Sequence, residues 1–144
     1  MSIFVEDCDA VEVVVHYSDL NGKIEILETP SEKSQTLKMM FRRPDFAISQ
    51  RLMSACTVPD QNGAQTVNVM LLQNNMMYML AKSWNAKTQD VTIPEQKSPD
   101  GTVIPAKVIP GNPIELNNEN ISKLRVEISR ALVNALIPAI GQIV

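Results

Sequence analysis

The chain has 144 residues, a formal net charge of −3 and a pI near 5.1. That length suits one domain with a hydrophobic core of its own, so residues 1–144 are expected to form a single domain. The acidic balance argues against a general nucleic-acid binder, which carries a basic footprint; only Lys38, Arg42, Arg43 and Arg51 are locally basic.

Hydrophobic residues make up 44% of the chain but aromatics only 4%, so a core must be built from Val, Ile, Leu and the eight Met. Methionine serves either as core filler, the commoner use, or as an adaptable contact surface. The start, MSIFVEDCDA, lacks a basic n-region and a long apolar run, and is not expected to be a signal peptide. The longest helical segments carry Asn, Gln and charges, so no membrane span is expected. Cys8 and Cys56 lack C-x-x-C spacing. Cys8 falls in an acidic start, and Cys56 reads as a small buried hydrophobe at a helix end. A disulfide between them is unsupported, which points to a reducing, cytoplasmic place of synthesis.

In chain order, Val11–Tyr17 is rich in β-branched residues and predicts a strand with Val11, Val13, Val15 and Tyr17 on one face. Asn21-Gly22 follows, the strongest short hairpin signal, and Lys23–Glu28 is the expected return strand. After a turn-rich break, Gln35–Arg43 alternates Leu37, Met39 and Phe41 with polar residues, a third strand that Pro44 ends. Asp45–Cys56 fits a short helix with Ser49, Leu52, Met53 and Cys56 on one face, its acidic start suiting the helix dipole. Thr57–Gln65, with Pro59, Asp60, Asn62 and Gly63, is expected to be a loop.

Thr66–Trp84, TVNVMLLQNNMMYMLAKSW, contains no Gly or Pro and predicts a long helix, with Thr66 as its N-cap. At about 100° per residue, Val67, Met70, Leu71, Met77, Tyr78 and Ala81 share one face, and Val69, Leu72, Met76, Met79 and Leu80 the opposite one. A helix apolar nearly all round is buried between two layers or between its own domain and a partner. Val91–Ile93 suits a short strand. From Pro94 to Pro113 the chain carries five prolines and the turn pair Asp100-Gly101. Long excursions of this kind are usually functional or mobile. Its Val103, Ile104, Val108 and Ile109 leave two readings open: a loop lying on its own domain, or an arm docking on a neighbour.

The last predicted helix spans Asn118–Ile137, with Asn117 or Asn118 as cap. Ile121, Leu124, Ile128, Ala131, Leu132, Ala135 and Ile140 form its core stripe. Val126, Val133 and Ile137 lie on the opposite side and suggest a second contact. Pro138 and Gly141 are expected to end or kink it.

No catalytic constellation emerges. His16 is the only histidine, and a hydrogen-bonded strand residue is its expected role. Asp7, Asp9 and Glu12 do not have calcium-loop spacing and read as a solvated leader. Phosphate-cradling glycine patterns are absent. Lys38 and Arg42 share a strand face and are expected to be solvated. Trp84 is expected to anchor either the core or an interface. With no acid/base pair, metal-ligand set or activated nucleophile, an enzyme is the weakest option, and no cofactor or metal is expected.

The order of elements carries a resemblance. A hairpin leads to a strand ending FRRPDF (Phe41–Phe46), then a helix, then an apolar helix ending SWN (Ser83–Asn85), a turn-rich passage and a final amphipathic helix. This layout resembles the small tail-assembly proteins of tailed bacteriophages, namely the tail assembly chaperones and T4-type baseplate-hub relatives. There an R-R-P or R-x-P step precedes the helical body, and W-N or W-D opens the closing section. The resemblance implies a non-enzymatic structural or assembly role in a tail or baseplate, in the host cytoplasm during assembly and in the virion if retained. The implied partners are other phage structural proteins or further copies of the chain, with neither nucleic acid nor membrane involved. The alternative is a small peptide- or ligand-binding adaptor with a Met-lined groove.

The expected fold class is α+β: a small antiparallel sheet, made of the N-terminal hairpin and the third strand, packed on two or three helices, with a long Pro-rich loop or arm at residues 94–113. The expected partner surface is Leu72, Met76, Met79, Val126, Val133 and Ile137.

Overall fold

The computed structural model of the protein describes residues 3–6 and 9–140. The expectations for Asp7, Cys8 and the tail beyond Ile140 lie outside the described residues. The chain divides into two compact units. The larger takes the chain up to Trp84 and from Leu116 onward; the smaller is Asn85–Glu115. The Pro94–Pro113 stretch, expected as an arm within one domain, thus belongs to a unit of its own.

In the larger unit, β1 (Ala10–Leu20) and β2 (Lys23–Leu27) form the expected hairpin. Asn21 at φ 56° and Gly22 at φ 78° supply the two positive φ values of a type I′ turn. β3 (Gln35–Arg42) pairs antiparallel with β1 and sets Val11, Val13 and Val15 opposite Phe41, Met39 and Leu37. All six are buried. The period-two alternation therefore turns one sheet face inward, and a slip of one residue would expose the whole set. His16 Nδ1 lies 2.9 Å from Thr36 Oγ1, so the lone histidine is hydrogen-bonded within the sheet.

α1 (Phe46–Cys56) starts where Asp45 accepts the Ile48 N–H at 2.8 Å. Leu52 and Cys56 are fully buried, and Asn75 Nδ2 donates to Cys56 Sγ at 3.3 Å. The segment expected as a loop after α1 holds a small hairpin, β4 (Thr57–Pro59) with β5 (Gln65–Val67). The Asp60 carboxylate closes its turn by accepting the N–H groups of Asn62 and Ala64.

The central helix is shorter than the periodicity predicts. α2 covers Val69–Leu80. Thr66 is paired in β5, and the cap is Asn68, whose side chain accepts the Leu71 N–H at 3.1 Å. Ala81–Trp84 leaves the helix to become β6, the fourth strand of a sheet ordered β2-β1-β3-β6. The free edge of β3 offers backbone partners that outweigh continued helix, as tertiary context overrides local propensity. Asn68→Ala is expected to lower stability by about 1 kcal/mol, checked as a fall in the urea midpoint without a change in slope.

The strands of the smaller unit are β7 (Val91–Ile93), β8 (Gln96–Lys97), β9 (Val103–Ile104) and β10 (Lys107–Ile109). The final helix is two helices. α3 (Asn118–Ser122) is capped by Asn117, whose side chain accepts the Asn120 N–H at 2.8 Å. α4 (Val126–Ile140) follows a tight turn at Lys123–Arg125 and continues through Pro138, which was expected to end or kink it. Arg125 Nη1 donates to the Gly22 carbonyl at 2.8 Å, tying this turn to the first hairpin. Ile128, Leu132, Leu136 and Ile140 are buried at four-residue spacing, and α4 lies against β1 and β2. α2 packs against α1 and α4. The fold class is α+β, an antiparallel sheet packed on helices.

Candidate partner-binding surfaces

A groove of about 390 Å³ runs where α2 faces α3 and α4. Its apolar lining includes Met70, Met77, Tyr78, Val126 and Val133. Met70 is 73% exposed and Val126 58%, so the groove opens to solvent along an apolar rim. Gln73, Asn74, Ser129, Asn134 and Arg130 supply its polar groups. Tyr78 Oη and Ser122 Oγ lie 2.9 Å apart and join α2 to α3 at the groove wall. An apolar trough with a few polar groups is the usual form of a small binding site, and methionine lets it adapt to shape.

The surface expected from the sequence is only partly available. Leu72 is 9% exposed and Met76 3%, both in the core, which corrects their assignment to a partner surface. With apolar residues on both sides of α2, the wheel does not distinguish the inward face, and Leu72, Met76 and Leu80 are the side that meets the core. Val126 and Val133 do line the groove. Met79 and Ile137 are exposed but are not part of its lining. Met70 and Tyr78, which the sequence places on one face of the helix, are the exposed groove residues that were not singled out; Met77 beside them lines the groove but is buried. Trp84, half-buried in β6, sits opposite Met39. Lys38 and Arg42 are exposed on β3, and Arg43 and Arg51 are exposed as well.

The smaller unit is a β-ribbon. β7 pairs with β10, and β8 with β9. One register runs throughout: Lys87 meets Pro113, Ile93 meets Lys107, and Gln96 meets Ile104. The Pro-rich stretch, expected to be largely irregular, is therefore a single hairpin interrupted where Pro94-Glu95 passes Pro105-Ala106. Val91, Ile93, Val103, Ile104, Val108 and Ile109 are all exposed.

Both ends of the ribbon are stitched by carboxylates. At the base, Asp90 Oδ1 accepts the Gly111 N–H at 2.7 Å and meets Lys87 Nζ at 3.4 Å; the Gly111 bond first, then Lys87, lowers the Asp90 pKa. At the tip, Asp100 accepts the Ser98 hydroxyl and the Thr102 N–H, which bring its carboxyl from the ordinary 3.8 down to about 2. A depressed carboxylate pKa contributes stability that is present above the unfolded value and lost as pH falls through the folded one. The tip is thus expected to hold its turn above pH 3.8 and to lose it as pH falls through about 2. The Asp100 carboxyl shift and the Thr102 amide signal, followed by NMR in acid, check this.

Among the described residues, no group of three or more His, Cys, Asp or Glu side chains is placed to hold a metal ion. No helix among them is long and apolar enough to cross a membrane. No family model matches this chain, and neither the curated proteins nor the solved structures contain a match.

Proposed function

We propose that the chain is a non-enzymatic structural or assembly protein that works through protein–protein surfaces. The carrying observation is the ribbon, whose aliphatic side chains stay exposed over both of its strands. A lone two-stranded hairpin is marginal in water, so a ribbon of this composition is best explained by another chain that covers it. The setting we propose is the tail or baseplate of a tailed bacteriophage, with assembly in the host cytoplasm. It rests on the order of elements around Phe41–Phe46 and Ser83–Asn85; Ser83 and Trp84 stand in a strand here, beyond the end of the helix. The partners are then other phage structural proteins or further copies of the chain.

The test is native mass by light scattering after size exclusion, across a range of concentrations. A discrete assembly of many copies is expected, and Val133→Glu with Ile137→Glu should reduce its mass while leaving the helical circular dichroism unchanged. An assembly indifferent to both substitutions removes that face of α4 from the contacts. A chain monomeric at all concentrations moves the weight to assembly on other proteins.

The groove between α2 and α3–α4 favours a second reading, a small peptide- or ligand-binding adaptor. It predicts saturable binding of an apolar peptide, weakened by Met70→Asp.

A further inference from the structure

The two edges of the ribbon are not equivalent. In an antiparallel ladder, residues alternate between pairs that exchange hydrogen bonds and pairs whose amides point outward. Ser98 donates to Thr102, Thr88 to Asn112, and Ile114 to Ala86. With one register throughout, the even-numbered positions therefore bond across the ribbon and the odd-numbered ones face out.

Along the second strand, the outward positions are Val103, Pro105, Lys107, Ile109, Gly111 and Pro113. Two of these are prolines with no N–H, and the Gly111 N–H is taken by Asp90. Proline blunts a sheet edge in this way. Along the first strand, Val91, Ile93, Glu95 and Lys97 all carry an N–H and a carbonyl, and all are exposed. Pro94 stands at an inward position, where its missing donor interrupts the ribbon's own ladder and leaves this outer edge complete.

We propose that the Val91–Lys97 edge is a strand-addition site, and that its occupant is the same edge of a second copy, antiparallel about a two-fold axis at Ile93 or at Pro94, which keeps outward positions opposite outward ones. This deepens the reading of the ribbon as a contact surface and rests on it. One open edge per chain, meeting itself, gives a closed isologous pair. Two marginal two-stranded ribbons become one four-stranded sheet, which passes the size needed for independent stability. An axis there lies at the centre of the open edge and sets Glu95 against the uncharged Val91 or Ile93, whereas an axis at Glu95 would set like charges opposite each other.

The experiment compares Glu95→Pro with Lys107→Pro in the full chain. Each removes one outward N–H and one charge, the first on the open edge and the second on the blunted one. Neither touches the ribbon's internal bonds, and amide exchange at Thr92 and Val108 verifies that the ribbon persists. Light scattering across concentrations is expected to show the mass of the Glu95→Pro species reduced by half or more, with Lys107→Pro at the wild-type value. Equal loss in both variants, or none in either, overturns the edge pairing. An assembly that survives Glu95→Pro but yields to Val133→Glu overturns it while sparing the assembly reading. A wild type monomeric at every concentration overturns self-pairing, and an edge that then captures another protein's strand identifies a different occupant.

Discussion

Phe41→Ala is expected to destabilise the larger unit by about 3–5 kcal/mol, a large share of the roughly 5–15 kcal/mol that holds a domain folded. Phe41 has no exposed surface. It faces Val11 across β1 and lies at the register shift where β3 meets β6. Truncation removes the transfer energy of the ring and leaves a cavity beneath two strands whose backbones are held by their ladders, so the site cannot collapse to fill it. Phe46→Ala provides the control. The same side chain is 78% exposed there, and its loss is expected to stay within about 0.5 kcal/mol. Urea denaturation of both variants checks the pair, with the midpoint falling for Phe41→Ala alone and the slope unchanged. Equal effects would mean that the inward face of the sheet is not the core.

Gly111→Ala is expected to undo the base of the ribbon while sparing the larger unit. A Cβ at residue 111 would overlap the Thr88 carbonyl oxygen and stand 2.6 Å from its carbon. Real side chains do not approach backbone so closely, and neither strand can yield without parting. Three hydrogen bonds meet at this point: Gly111 to Asp90, Asn112 to the Thr88 hydroxyl, and Thr88 to the Asn112 carbonyl. The alanine must break some of them to fit. Amide exchange is expected to show lost protection at Thr88 and Asn112, with protection kept at Val13 and Leu132. If the surface reading is right, native mass falls with it. Retained protection at Thr88 would mean that the close approach is not needed.

The elements visible in the sequence are those whose signals are local. Asn21-Gly22 specifies its turn because both residues tolerate positive φ, so the first hairpin was predictable to within a few residues. The alternation of Leu37, Met39 and Phe41 named the inward face of β3, and Asp45 and Asn117 marked two helix starts. Ala81–Trp84 shows the opposite case. Nothing in that tetrapeptide opposes helix; its strand state comes from an edge supplied by residues about forty positions earlier in the chain. The ribbon was hidden for a related reason. Five prolines suggested irregular chain, yet what matters is whether each proline falls at an inward or an outward position, and that depends on a register the tip and base set together.

The candidate surfaces divide along the same line. By itself the sequence determined the apolar and polar periods, the turn and cap residues, and hence an α+β fold with apolar stripes to spare on the second and last helices. Val126 and Val133 were legible as such a spare stripe. Only the tertiary structure decided which side of α2 is spare. Its two faces carry similar apolar content, and burial is chosen by what packs against a face, which put Leu72 and Met76 in the core and left Met70 and Tyr78 exposed at the groove.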